Sequence, residues 1–71
     1  LTIYPNPTTG VFTIELPKGE LEIYNTLGEL IYNAQIIQQQ TEINISDKPK
    51  GVYFLKIITE DKIYSQKLII Q

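Results

Sequence analysis

The sequence predicts an all-β fold, an immunoglobulin-like antiparallel sandwich of about seven short strands, with a small barrel as the alternative. Runs rich in β-branched and aromatic residues alternate between apolar and polar positions, and they recur roughly every 8–12 residues. Turn residues separate the runs, and no segment has the 3.6-residue period of an amphipathic helix. A chain of 71 residues has room for one small domain.

The first part of the chain is expected to form a short strand, a stiff connector and a second strand. The strand over residues 1–4 ends at Pro5, and residues 5–10 contain two prolines, an asparagine and a glycine. Proline fixes its own φ and restricts the preceding residue, while Gly10 can supply the positive φ of a turn. The run 11–16 alternates, and it places three apolar side chains on one face: Phe12, Ile14 and Leu16.

Three strands are expected in the middle of the chain. The runs 20–25 and 41–46 alternate cleanly, and residues 25–28 form a hairpin connection with glycine late in the turn. The run 29–37 alternates less clearly, because Ile31 lies opposite the main apolar set. The apolar sets that share a face are Leu21 with Ile23, then Leu30 with Tyr32, Ala34 and Ile36, and finally Ile43 with Ile45.

The strongest β signal is the run 51–59, which we expect to be the central strand. Its two faces carry Tyr53, Leu55, Ile57 and Thr59 on one side and Val52, Phe54, Lys56 and Ile58 on the other. Because Lys56 lies in the middle of the second face, that face is expected to meet solvent. Tyr53 is either a corner residue, with its hydroxyl bonded to backbone near residues 46–49, or an ordinary half-buried strand tyrosine. The run 62–70 is expected to be the last strand.

Composition argues against several classes of function. The chain has no cysteine, histidine or arginine, and its net charge is −2. Disulfides and the usual zinc ligands are therefore unavailable, and an acidic chain without arginine argues against a nucleic-acid partner. No apolar run is long enough to span a membrane. The sequence begins at Leu1, so we expect a piece of a longer polypeptide whose targeting segment lies elsewhere.

Enzyme, metal and sugar sites have little support in the sequence. The usual general base and thiol nucleophile are absent, and neither Ser46 nor Ser65 has an obvious base beside it. Asp47, Glu60 and Asp61 are candidate ligands for calcium, which takes oxygen ligands, but they lack the spacing of an EF-hand, so we expect neither metal nor cofactor. The seven aromatic residues could include a platform for sugar, but such residues are more often core and cross-strand partners.

Two features are expected on the sheet surfaces. Glu20 and Glu22 share a strand face, which we interpret as an exposed acidic stripe. Val52, Phe54 and Ile69 are candidates for an exposed apolar strip on the outer face of the last two strands. Such a strip would be a partner surface, unless a neighbouring loop covers it.

Several motifs occur in order over the whole chain. An opening box, Tyr4-Pro5-Asn6-Pro7-Thr8-Thr9-Gly10, is followed by Ile23-Tyr24-Asn25-Thr26-Leu27-Gly28. Ile45-Ser46-Asp47 precedes a central box, Gly51-Val52-Tyr53-Phe54-Leu55-Lys56-Ile57, and a closing box, Tyr64-Ser65-Gln66-Lys67-Leu68-Ile69-Ile70-Gln71. This pattern resembles the C-terminal sorting domain of proteins exported by the type IX secretion system of certain Gram-negative bacteria.

The resemblance implies that residues 1–71 are a single sorting domain at the end of a larger secreted protein. The domain would be recognised in the periplasm and would direct its N-terminal cargo through the outer-membrane translocon. A sortase-like cysteine peptidase would then remove it, and the cargo would be attached to lipopolysaccharide at the cell surface or released. The alternative is an immunoglobulin-like adhesive or carbohydrate-binding module that stays on the secreted protein. Neither is an enzyme.

By position in the motif, the resemblance assigns ten residues to the sorting signal and its recognition by partners. They are Pro5, Asn6, Pro7 and Gly10 of the opening box, Gly51 and Tyr53 of the central box, and Lys67, Leu68, Ile69 and Ile70 of the closing box. The closing box has one lysine where many relatives have two basic residues nearby. The family's cleavage point lies before the opening box, so we expect it upstream of Leu1.

The last strand is also a candidate for main-chain recognition. Residues 62–70 end the chain as a β run with apolar side chains on both faces, and we expect this strand at a sheet edge. An edge strand exposes N–H and C=O groups to which a partner can add a strand of its own.

Overall fold

The strands form where the alternating runs predicted them, and the all-β prediction is confirmed. A computed structural model describes residues 1–71. Its seven strands are β1 Thr2–Tyr4, β2 Val11–Glu15, β3 Gly19–Tyr24, β4 Leu30–Ile36, β5 Gln40–Asn44, β6 Gly51–Ile58 and β7 Ile63–Ile70. No helix in the structure has the length and apolar character needed to cross a membrane.

The strands form two sheets in which every strand pairing is antiparallel. The smaller sheet has the order β1-β2-β5, and the larger sheet has the order β4-β3-β6-β7. β6 pairs with β3 on one side and with β7 on the other, as expected for the central strand. The predicted sandwich is confirmed, and the barrel alternative is wrong because the strands form two separate sheets.

One face of each sheet supplies the core, as the alternation predicts. Fourteen apolar residues form a single buried cluster between the sheets. The predicted inward residues of β2, β3 and β6 are all in it: Phe12, Ile14, Leu21, Ile23, Tyr53, Leu55 and Ile57. The chain has no disulfide, so burial of this cluster, at about 25 cal/mol per Å² of apolar surface, is the main source of stability.

β4 departs from the predicted pattern because its pairing with β3 contains a bulge. Ile23 pairs with Tyr32 but Tyr24 pairs with Leu30, so Ile31 is an extra residue in β4. The bulge shifts the alternation, and Ile31 packs against the core while Leu30 is 50% exposed. The prediction that Leu30 shares a face with Tyr32, Ala34 and Ile36 is therefore wrong for Leu30.

The different burial of two isoleucines provides a direct test of the core. Ile57 of β6 is 1% exposed, whereas Ile63 of β7 is 63% exposed. We expect Ile57→Val to lower the free energy of unfolding by about 0.5–1.5 kcal/mol, because it leaves a methyl-sized cavity. In a domain of this size that loss lowers the melting temperature by roughly 2–12 °C. Ile63→Val is the matched control, and an equal drop for both variants in thermal melts would contradict the assigned core.

Candidate functional site

The opening loop (residues 5–10) lies beside the end of β7. The Thr8 N–H donates to the Ile69 carbonyl at 2.8 Å, and the Gln71 N–H donates to the Thr8 carbonyl at 2.8 Å. These bonds form an isolated parallel bridge between Thr8 and Ile70. The opening loop therefore adds a short pairing to the larger sheet beyond its edge strand.

The side chain of Asn6 extends this pairing towards the middle of β7. Its Nδ2 donates to the Lys67 carbonyl at 2.9 Å, and its Oδ1 accepts from the Ile69 N–H at 3.1 Å. A carboxamide carries a donor and an acceptor, as a peptide group does. Asn6 therefore takes the place of a neighbouring strand for two residues of β7. We call these bonds of Asn6 and Thr8 to residues 67–71 the clamp.

Thr8 is a residue of the site that the sequence reasoning missed. It is 3% exposed, and its hydroxyl donates to the Val11 carbonyl at 2.7 Å while accepting from the Gly10 N–H at 3.1 Å. These bonds fold the opening loop back on itself before β2. The only signal in the sequence is a threonine two residues before a glycine, a spacing at which hydroxyls often stabilise turns.

Gly10 is required where the opening loop passes the end of β5. Its φ is +117°, and a Cβ at this position would lie 2.6 Å from the Cα of Ser46. The Gly10 carbonyl also accepts from the Ile45 N–H at 2.8 Å. A side chain here would strain the backbone and separate the opening loop from β5.

The central box joins the same site through the pairing of β6 with β7. Gly51 pairs with Ile70, the residue that also bridges Thr8, and Tyr53 pairs with Leu68. Gly51 has a φ of +145°, a region that favours glycine. Opening, central and closing boxes therefore meet at one end of the larger sheet.

The predicted site residues divide into two groups by exposure. Tyr53, Leu68 and Ile70 are 5% exposed or less and belong to the core. Gly10 is also buried, against the residue that follows β5 by two positions, and the remainder lie at the surface or partly at the surface: Pro5, Asn6, Pro7, Gly51, Lys67 and Ile69. The Tyr4-Pro5 and Asn6-Pro7 peptide bonds are cis. The structure brings most of the ten residues together at the end of β7. Gly10 contacts the chain on the other side of the opening loop, at Ser46.

Tyr53 has the geometry of a corner residue. Its ring is buried, and its hydroxyl donates to the Pro49 carbonyl, just before β6 begins. Of the two alternatives that the sequence left open, the corner is confirmed. The bond ties the start of β6 to the segment that precedes it, and so helps to place Gly51 against Ile70.

The edge of β7 is less open than the sequence suggested. β7 is an edge strand, as expected. On its outer side, however, the clamp bonds the carbonyls of Lys67 and Ile69 and the N–H groups of Ile69 and Gln71. Because alternate residues of an antiparallel strand point their groups to the same side, the outward groups that remain belong to Ile63, Ser65 and the Lys67 N–H. The expectation of a free edge along 62–70 is therefore wrong for its final residues.

Two tyrosines bond to carboxylates on the outer faces of the sheets. Tyr4 donates to Glu15 at 2.7 Å, which raises the pKa of Tyr4 and lowers the pKa of Glu15, and a bond from Gln40 lowers the pKa of Glu15 further. Tyr24 donates to Glu22 at 2.7 Å, and this bond raises the pKa of Tyr24. Each bond fixes a ring on a sheet surface.

The acidic residues considered for calcium do not come together. Asp61 accepts from Thr59 within its own turn at 3.2 Å, and an Asp47 oxygen lies 3.9 Å from the Lys48 Nζ. Groups of three His, Cys, Asp or Glu side chains arranged for a metal ion are not found in residues 1–71. The calcium alternative has no support in the geometry.

The contacts that the site residues make indicate the class of protein. Its residues make main-chain contacts and shape a sheet edge, and the chain has no histidine or cysteine to act as base or nucleophile. These features define a small all-β domain whose opening loop is bonded to the edge of its last strand. Residues 2–71 match the family model of the secretion system C-terminal sorting domain, and the chain belongs to that family. A domain of this family is a sorting signal of type IX secretion and not a catalyst.

Two curated relatives align with nearly the whole chain. An ulvan lyase, NLR42, of Nonlabens ulvanivorans is 34% identical over 73 aligned residues, which cover 96% of this chain and 14% of the lyase. Beta-agarase A of Zobellia galactanivorans is 27% identical over 73 aligned residues, which cover 97% of this chain and 13% of the agarase. The chain thus spans only a small part of the length of these relatives.

The contribution of the clamp can be measured by removing one side chain. We expect Asn6→Ala to lower the free energy of unfolding by about 1–2 kcal/mol, because it removes two hydrogen bonds to β7. Urea denaturation measures this change. Asn33→Ala is the matched control, since Asn33 is exposed on β4 and makes no side-chain hydrogen bond. We expect it to change stability by less than about 0.5 kcal/mol. Similar losses for both variants would contradict the clamp.

Proposed function

We propose that this domain is the address label of a secreted protein and directs an N-terminal cargo through the type IX outer-membrane translocon. The observation that supports this most is the meeting of the three boxes at the end of β7. Asn6 bonds to Ile69, 63 positions later in the chain, and Gly51 and Thr8 both pair with Ile70. A signal built in this way is recognised as a folded surface rather than as a linear peptide.

The same proposal includes the later steps of export. The domain folds in the periplasm, where it needs no oxidation because the chain has no cysteine. A sortase-like cysteine peptidase of the system then cuts upstream of Leu1, and the cargo is attached to lipopolysaccharide at the cell surface or released. Such a cut would leave the clamp intact in the separated domain.

The relatives suggest what the cargo resembles. Both are named as enzymes, a lyase of ulvan and an agarase, and each is much longer than this chain. We infer that the cargo of this domain is a larger secreted protein, with an enzyme as the first candidate. The domain itself supplies no catalytic group to that activity.

A second function has one observation in its favour. Phe54 is 45% exposed and is paired across the sheet with Tyr24, whose ring is partly exposed. Exposed aromatic rings can stack against sugars, as in an adhesive or carbohydrate-binding module that stays on the mature protein. The other exposed aromatic, Tyr4, lies on the opposite sheet, so the rings do not form one extended platform.

A transplant tests the address label directly. Residues 1–71, with upstream linker, are fused to a reporter that carries its own signal peptide, and expressed in a type IX-competent host and in one without the translocon. We expect reporter at the surface or in the medium of the competent host only, and the domain absent from the mature product. Reporter that stays in the periplasm of both hosts, with the domain attached, would contradict sorting and favour the binding module.

A further inference from the structure

The outer face of the larger sheet carries a continuous apolar row at the end where the boxes meet. Leu30, Tyr24 and Phe54 are direct cross-strand neighbours on β4, β3 and β6. Val52 and Ile69 form the next pair, across β6 and β7. We call these five residues the outer patch. All lie on strands whose opposite face packs in the core, so the backbone beneath the outer patch is held in place.

No other part of the chain covers the outer patch. Leu30 is 50% exposed, Phe54 is 45% exposed and Val52 is 36% exposed. Tyr24 and Ile69 are partly exposed. The predicted strip of Val52, Phe54 and Ile69 is thus present, and the alternative of a covering loop is wrong for Val52 and Phe54. A contiguous exposed apolar surface is a common sign of a protein interface.

The charged side chains next to the outer patch on β6 and β7 are both lysines. Lys67 is the cross-strand neighbour of Phe54, and Lys56 lies two residues further along β6 on the same face. Neither lysine forms a salt bridge. A carboxylate on the same face, Glu22, is the cross-strand neighbour of Lys56, but it accepts a hydrogen bond from the Tyr24 hydroxyl at 2.7 Å. Two lysines without a bonded counter-ion therefore flank an exposed phenylalanine.

A groove between these side chains has room for part of a partner. It has a volume of about 370 Å³ and is lined by Tyr24, Phe54, Lys56, Ser65 and Lys67, together with neighbouring backbone. An apolar side chain would rest on the rings of Tyr24 and Phe54, and carboxylates next to it would meet Lys67 on β7 and Lys56 further along β6. Complementary charge of this kind favours encounter with the correct partner and fixes its orientation.

We propose that the outer patch is a docking surface for a protein partner that presents an apolar side chain flanked by aspartate or glutamate. The inference rests on the proposed sorting function, and the partner is a component that handles the folded domain during export. The same face is next to the clamp, since Ile69 belongs to both and Lys67, whose carbonyl accepts from Asn6, lies beside Phe54. A single partner can therefore contact the outer patch and the end of the clamp together.

Export of the reporter fusion by the competent host tests this surface through a graded set of variants. Lys56 and Lys67 are replaced together by arginine, by glutamine or by glutamate. We expect the arginine pair to be exported about as well as the unchanged domain. Export of the glutamine pair is expected to fall in part, and export of the glutamate pair is expected to fall by about tenfold or more. Phe54→Ser, which removes the central ring of the outer patch, is expected to cause a comparable loss.

Matched controls separate the outer patch from general effects of charge or exposure. Lys18→Glu with Lys62→Glu makes the same charge change at two exposed lysines outside the patch, and Leu27→Ser changes a residue that is 82% exposed. We expect both to be exported like the unchanged domain. The melting temperature of every purified variant is measured to check that the variant folds.

The outcomes distinguish the docking surface from the sorting function. If the unchanged domain is not exported, the proposed function fails. If it is exported and the glutamate pair is exported equally well, the docking surface is wrong while the function stands. Loss with Phe54→Ser and none with the glutamate pair would exclude an acidic partner. Equal loss with the arginine and glutamate pairs would also contradict recognition by charge.

Discussion

The pair of hydrogen bonds from the Asn6 side chain to the edge of β7 is the contact that holds the opening loop against the last strand. It joins residues that are 61 and 63 positions apart in the chain, and Thr8 adds two main-chain bonds beside it. β7 is thereby held between β6 on one side and the opening loop on the other. The first and last parts of the chain become one surface, and this surface exists only when the domain is folded.

The fold places the proposed docking surface and the core on different faces of the same strands. Leu55 and Ile57 face the core, whereas Phe54 and Lys56, which alternate with them along β6, are on the face towards solvent. A small chain without disulfides can use one face for packing and leave the other for a partner, because strand alternation separates the two.

Local patterns in the sequence predicted most of the fold and only part of the site. Alternation located β2, β3, β5, β6 and β7, and the position of Tyr53 suggested its bond before β6. The pairing of Asn6 with Lys67 and Ile69 could not be predicted, because no local pattern specifies which distant segments meet. The bulge that exposes Leu30 was hidden for a similar reason, since it depends on the register between two strands. Thr8 was missed because a buried threonine in a turn looks like any other turn residue.

Native-state hydrogen exchange of the unmodified domain tests the central claim most directly. If the clamp is part of the folded unit, the amides of Thr8, Ile69 and Gln71 exchange with a free energy within about 1 kcal/mol of the core amides Leu55 and Ile57. That result would show that opening loop and closing strand are lost only when the whole domain unfolds. Exchange of these three amides at a free energy near zero, with the core still protected, would contradict the account.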